Sequence, residues 1–247
     1  MAKSLSVEHG GEGSGRIGPV AGICLAGALL ACAAAAPPKM VHEDRIVSVS
    51  LMTDTRSATP HAHPAHLTNP QVSRILAGLR VLRSGGTPQE SPDEGPESPR
   101  PADRREGIPV FSRDEIRMLA PFLAKAFEEV SPQQLVAFHL KGGQLDDPSS
   151  RPVVTSGGLF LDQEQLYVVL ANYRTKPFGS AFEGSMVSEL DLRSDPLVPI
   201  VRGGYVLGFS PGSARVTPVG GSSAWEYVEY QKIVVIDLTK VAGKGLE

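Results

Sequence analysis

Residues 153–173 read VVTSGGLFLDQEQLYVVLANY, and this stretch decides the fold class. Two apolar runs, at 153–161 and 165–173, have the length of strands and are rich in β-branched and aromatic residues, so each predicts a β-strand. The polar residues Asp162, Gln163 and Glu164 between them suit a short hairpin loop. Because no helical crossover fits in so short a connection, the two strands are expected to pair antiparallel.

Strands are also predicted on both sides of this hairpin. At 45–52, Val47, Val49 and Leu51 alternate with serines, which is the period-two pattern of a half-buried strand. We take this as the first strand of the folded domain. Further strands are predicted at residues 134–141, 199–201, 205–209, 216–219 and 232–238.

A first amphipathic helix is predicted over residues 70–83. Asn69 supplies an N-cap residue, and Pro70 stands at the first helical position, where its missing N–H costs nothing. Apolar residues then follow at helical spacing.

A second helix begins after Ser112, which forms a capping-box pattern with Glu115. One apolar face then continues to Val130. Pro121 removes a backbone donor inside this helix, which predicts either a kink near Arg117 or two short helices.

Residues 84–107, between the two helices, contain five prolines and no large apolar residue. Such a segment cannot offset the entropy of ordering by burial, so we predict a disordered insertion. The expected architecture is a single α+β domain formed by residues 45–83 and 108–242. It would consist of an antiparallel sheet with both amphipathic helices on one face.

The overall composition is that of an ordinary globular protein. The 247 residues are 41% hydrophobic and 21% charged, with a formal net charge of -3. A chain so close to neutral creates no field that attracts phosphate backbones, which argues against nucleic acid as a partner.

An apolar, uncharged segment at residues 17–36 directs the chain to a membrane. From its length alone it could be a cleaved secretory signal or an uncleaved single-span anchor. Its end reads Leu29-Leu30-Ala31-Cys32. This sequence resembles the lipobox of bacterial lipoproteins, in which a lipidated cysteine becomes the mature N-terminus.

The resemblance implies a lipid on Cys32, a signal peptide over residues 1–31 and a tether over residues 32–44. It places the protein in the cell envelope, facing the periplasm or the exterior. Ala33 offers no acidic retention signal of the kind some lipoproteins carry, which leans towards the outer membrane. The other cysteine, Cys24, follows the bulky Ile23 and suits lipidation less well. The mature domain would therefore contain no thiol for a disulfide or a metal.

No catalytic set is evident in the sequence. Gly208 to Gly212 spell the serine-nucleophile pattern G-x-S-x-G. However, Pro211 has no backbone N–H for an oxyanion hole, and the last histidine, His139, precedes the serine. This favours a protein without enzymatic activity.

Histidines form the one cluster with metal-ligand character. His61, His63 and His66 lie within PHAHPAH, and His42 precedes them. Imidazole suits zinc and copper, so this cluster is the candidate metal site. A polar surface loop without a carboxylate in the run is the alternative interpretation.

The most aromatic stretch of the chain, around Trp225 and Tyr227, is the candidate binding surface. On a strand, Trp225, Tyr227 and Glu229 would share one face. Amphipathic aromatic residues are enriched at interfaces, although packing within the sheet would also explain them. The sequence thus predicts an envelope lipoprotein that binds or assembles with an envelope protein partner, and alternatively one that binds zinc or copper.

Overall fold

The computed structural model describes residues 37–83, 107–142, 153–176, 189–200, 204–217 and 228–241. The chain divides into two compact units, 1–34 and 35–247, and all described residues belong to the second. The strands are β1 (Lys39–Glu43), β2 (Val47–Thr53), β3 (Leu79–Arg83), β4 (Ile108–Pro109), β5 (Gln134–Gly142), β6 (Val153–Asp162), β7 (Gln165–Thr175), β8 (Tyr205–Phe209), β9 (Arg215–Val216) and β10 (Ile233–Asp237). The helices are α1 (Asn69–Gly78), α2 (Arg113–Glu129), α3 (Glu189–Ser194) and α4 (Leu238–Val241), with 3-10 turns at Gly212–Ala214 and Tyr230–Lys232.

The structure confirms the α+β class with antiparallel strand pairing. Seven strands form one sheet in the order β1-β2-β5-β6-β7-β10-β9, and β4-β3-β8 form a second sheet. The hairpin from β6 to β7 turns where predicted, with Gln163 in the left-handed region at φ 54°. The prediction of a single sheet was wrong, because β3, β4 and β8 separate from the rest.

Two boundaries differ from the sequence prediction. Residues 39–43 of the predicted tether form β1, which pairs with β2. The predicted helix over 70–83 ends at Gly78, and β3 follows directly. A Cβ on Gly78 would lie 2.4 Å from the ring of Phe209, so β8 can approach only a glycine at this position. Of the strand predicted at 199–201, residues 199 and 200 are not in a strand.

One of the two predicted N-caps is present, and the other was predicted one residue too late. Ser112 and Glu115 form the predicted capping box at the start of α2. At α1, Thr68 caps the helix in a box with Gln71, one residue before the predicted cap. Helix α2 continues through Pro121, so the expectation of two short helices was wrong.

The main hydrophobic core joins both longer helices to one set of strand residues. Buried members include Val49, Val136 and Val168 from the large sheet, Ile75 from α1 and Leu123 from α2. Neighbouring strand residues such as Leu135, Ala137 and Val169 belong to a second, smaller cluster. Because successive side chains of a strand point to opposite faces, the large sheet is buried on both faces. Within the described part of the chain, no helix is long and apolar enough to cross a bilayer.

The predicted insertion at 84–107 lies outside the described residues except for Gly107. The signal segment and Cys32 lie outside them as well.

Candidate functional site

The histidine-bearing loop between β2 and α1 is tied to the rest of the fold along its length. Four backbone N–H groups of this loop donate hydrogen bonds to carbonyl groups of neighbouring segments: Asp54 to Gln133 at 2.8 Å, His61 to Pro132 at 2.7 Å, Ala62 to Leu161 at 2.8 Å and Ala65 to Phe127 at 2.9 Å. The loop therefore holds its side chains in defined positions, although it has no regular secondary structure.

A buried carboxylate orients His61. Its Nε2 lies 2.9 Å from Oδ2 of Asp54, and the two side chains are 4% and 0% exposed. The other oxygen, Oδ1, accepts hydrogen bonds from the backbone N–H groups of Arg56 and Ser57. A carboxylate can only accept, so Nε2 donates, and in the tautomer that carries its one proton on Nε2 the lone pair lies on Nδ1.

No carboxylate lies within the histidine run itself, and the one that bonds to His61 is Asp54, seven residues earlier in the chain. Its position at the start of a loop, where its side chain can bond to the next backbone N–H groups, is typical of a turn-forming aspartate. That local signal predicts the turn, but it does not predict the contact with His61, which depends on how the loop folds back.

His63 is buried beside His61 without a polar partner. The residue is 6% exposed, and neither ring nitrogen has a hydrogen-bond partner among the described residues. The ring centroids of His61 and His63 are 5.7 Å apart. Burial, and to a smaller extent the neighbouring His61, lowers the pKa of His63 from 6.5 to about 4. The ring is therefore neutral at pH 7, with a lone pair available for a ligand.

Aromatic side chains enclose the histidine pair. The ring of Phe160 from β6 lies 4.4 Å from that of His61, centroid to centroid. The ring of Phe127 from α2 lies 5.7 Å from that of His63. The two imidazoles thus sit between apolar walls contributed by the sheet and by a helix.

The other two candidate ligands lie apart from this pair. His66 is exposed, with Nδ1 3.2 Å from Oε1 of Glu128. His42 lies on β1, where it bonds to Asp44 at 2.9 Å and stacks on Phe122 at 3.5 Å. The structure thus brings together only His61 and His63 of the four. Among the residues described, no three histidine, cysteine, aspartate or glutamate side chains form a metal-binding group.

Of the predicted binding surface, Trp225 and Tyr227 lie outside the described residues. Glu229 is exposed, and its charge adds to the effect of burial in raising the pKa of Tyr205. Burial lowers the pKa of Lys232, while Glu229 opposes that shift. The binding surface remains a prediction.

A buried polar row crosses the large sheet and was not predicted. Glu43 lies opposite Ser48, Ser48 opposite His139, His139 opposite Ser156, and Ser156 opposite Asn172. All except Glu43 are at most 1% exposed. His139, which follows Phe138 on β5, is fully buried.

The segment 189–200 is bonded to both ends of this row. At one end, Arg193 contacts Glu43 at 3.4 Å and donates to the carbonyl oxygens of Asp44 and Arg45. At the other end, Ser156 donates to the carbonyl of Pro196 at 2.7 Å. Asn172 donates to Ser156 and to the carbonyl of Val198, and its Oδ1 accepts from the N–H of Ile200. The row therefore attaches this segment to the sheet.

Comparisons with protein-family models, with curated proteins and with solved structures find no match for this chain.

Proposed function

We propose that the chain is a lipid-anchored protein of the bacterial cell envelope. The single observation that carries this proposal is the sequence Leu29-Leu30-Ala31-Cys32 at the end of an uncharged apolar segment. Residues 1–31 would be removed, and the acylated Cys32 would hold the domain at the membrane, with the outer membrane favoured. Each buried CH₂ of the acyl chains contributes about 0.8 kcal/mol, so two or more chains together make the attachment stable.

The anchor is tested by the mass of the N-terminal peptide isolated from membrane fractions. We expect an acylated peptide that begins at Cys32, and a Cys32→Ser variant that stays unprocessed and unacylated. Cys24→Ser is the matched control, because it removes the other cysteine of the same apolar segment and should be processed normally. An intact N-terminus in the unsubstituted protein would contradict the proposal and favour an uncleaved anchor.

Within the envelope, we propose a binding or assembly role rather than catalysis. In this proposal both amphipathic helices cover one face of the sheet, and the stretch with Trp225, Tyr227 and Glu229 forms the contact surface for an envelope protein partner. The near-neutral charge supports a protein partner over nucleic acid.

Trp225 is the only tryptophan of the chain, so its fluorescence reports on this surface directly. A contact surface predicts red-shifted emission that acrylamide quenches readily in the free protein. Blue-shifted emission that acrylamide does not quench would instead show that Trp225 packs within the domain, and it would overturn this choice of surface. The measurement needs no knowledge of the partner.

A second candidate function is metal binding, predicted for His42, His61, His63 and His66 with zinc or copper as the ion. One observation favours it: both nitrogens of the buried His63 lack a hydrogen-bond partner among the described residues. The separation of the other two histidines restricts this candidate to His61 and His63. Titration with zinc and with copper tests it, and an affinity unchanged by both His61→Ala and His63→Ala would exclude it.

A further inference from the structure

The two ring nitrogens of the buried His63 have no hydrogen-bond partner among the described residues. A buried polar group left without a hydrogen bond costs about 1–3 kcal/mol, and native proteins rarely keep one without a bound water, an ion or a functional reason. Within the part of the chain that the structure describes, His63 is one of few buried side chains in this state, and it lies beside a second imidazole.

The spacing of the two rings suits a shared ion. A metal lies about 2.0 Å from an imidazole nitrogen and therefore about 3.2 Å from the ring centroid. Two rings on one ion then have centroids about 4.5 Å apart at a right angle and about 6.4 Å apart in a linear arrangement. The observed centroid separation of 5.7 Å falls between these limits. It is larger than the value of about 5.2 Å for a tetrahedral arrangement, so the N–metal–N angle would be wider than tetrahedral.

We propose that His61 and His63 bind one Cu(I) ion, with Asp54 as the residue that positions His61. This inference rests on the second candidate function and names its ion and its ligands. Copper suits imidazole donors. Two-coordinate Cu(I) prefers a nearly linear arrangement, so binding would open the centroid separation from the observed 5.7 Å towards about 6.4 Å.

Zinc fits the same place less well. Structural and catalytic zinc sites have four ligands or keep a position open for water. The described residues around the pair offer no third ligand of these types, and the nitrogens of His63 are closed to solvent. Desolvation also favours the monovalent ion, because the cost of burying a charge rises with its square and is about fourfold higher for a divalent ion.

Asp54 completes the arrangement as a neighbour of the ligand. By accepting from Nε2–H of His61, it fixes the tautomer that leaves Nδ1 free for the ion. Metal-bound histidines commonly donate their other ring N–H to a carboxylate, and losing that partner lowers metal affinity about 10–100-fold. Phe160 and Phe127 place apolar rings against the imidazoles of His61 and His63.

The test is a Cu(I) titration of the full chain in detergent, under reducing conditions, against a coloured Cu(I) chelator. Cys24→Ser and Cys32→Ser are introduced throughout, because free thiolates would bind Cu(I) themselves. We expect one ion per chain. His63→Leu should lower the affinity at least 100-fold, and Asp54→Asn about 10-fold, since the amide cannot accept as strongly from His61.

His66→Leu is the matched control, because His66 lies on the same loop but is exposed and bonded to Glu128. Its affinity should equal that of the parent. Absorption at the copper edge should show two nitrogen donors in the parent. Circular dichroism and urea unfolding of His63→Leu establish that it is folded.

Two results would overturn the proposal: no Cu(I) retained against the chelator, or equal retention in His63→Leu and the parent. Zinc binding that His63→Leu abolishes, without Cu(I) binding, would refute the copper assignment and leave the second candidate function standing. If the parent protein binds neither Cu(I) nor zinc, the second candidate function is excluded as well.

Discussion

Replacing Asn172 by alanine should release the segment 189–200 from the sheet without unfolding the domain. The side chain of Asn172 is buried and makes three hydrogen bonds, two of them directly to this segment. Each such bond contributes about 1 kcal/mol net, so the substitution should weaken the attachment by about 2–3 kcal/mol. Because 1.4 kcal/mol is a factor of ten, the population of the open form should rise about 30- to 100-fold.

Limited trypsin digestion measures this opening, since Arg193 lies within the segment and is mostly shielded by its contacts with β1 and the following turn. When opening and closing are fast relative to cleavage, the cleavage rate follows the open population. The peptide that ends at Arg193 should therefore appear about 30- to 100-fold faster in Asn172→Ala. Cleavage after Arg117, on the exposed side of α2, is the internal reference and should not change.

A graded control comes from Ser156, whose hydroxyl donates only one bond to the segment. Ser156→Ala should raise the cleavage rate at Arg193 by about 5- to 10-fold, in line with the loss of one hydrogen bond. Equal rates in the parent and in Asn172→Ala would refute the reasoning. They would show that the buried side chains of Leu192 and Leu197, or the contacts of Arg193 with β1 and the following turn, hold the segment without Asn172.

Two further pairs of substitutions test the fold by urea unfolding. A Cβ on Gly157 would lie 2.0 Å from the carbonyl oxygen of Val169, so Gly157→Ala should lower the free energy of unfolding by roughly 3 kcal/mol or more. Gly212→Ala is the control: its Cβ would meet no atom within 4 Å, and it should change the free energy of unfolding by less than about 0.5 kcal/mol. Ser112→Ala removes the N-cap of α2 and should cost about 1 kcal/mol, which Ser112→Thr should largely restore. Similar effects for the two glycines, or no loss in Ser112→Ala, would contradict these assignments.

The central strands could be predicted because their local signal and their tertiary role agree. β6 and β7 are buried on both faces, so nearly all their successive residues are apolar or small. An amphipathic helix of the same length would instead keep polar residues on one face. The capping box of α2 is likewise a local pattern that the structure reproduces. Where the local sequence pattern determines the conformation of a segment, its secondary structure can be predicted from the sequence.

β1 and β3 could not be predicted, for two different reasons. β1 is an edge strand with exposed and half-buried residues, so it has no alternation of buried and polar positions. In β3, Leu79 and Leu82 continue the helical spacing of α1 equally well, and only the approach of β8 at Gly78 decides between helix and strand. For β3 the deciding contact comes from a distant part of the chain, whereas β1 pairs with its neighbour in sequence, β2.

The same limit applies to the site. The sequence predicted His42, His61, His63 and His66 as candidate metal ligands, and of these the structure brings only His61 and His63 together, while His66 faces solvent. Asp54 joins the site only through the path of the loop. The polar row depends on strand register, which is set by hairpins and bulges and not by any residue of the row itself.

His63 also yields a prediction about stability that separates a functional histidine from a structural one. In the metal-free protein at pH 7 the ring is neutral, because burial holds its pKa at about 4. Its two nitrogens then contribute only an unmet hydrogen-bonding requirement, and leucine has a similar size. His63→Leu should therefore stabilise the metal-free domain by about 1 kcal/mol in urea unfolding, which reverses the usual sign for a buried substitution. Functional sites typically contain residues whose replacement by an apolar residue increases the free energy of unfolding, because function is retained there at the expense of stability. A loss of stability would instead mean that His63 packs better than leucine or bonds to a buried water, and it would remove the main argument for a ligand at this position.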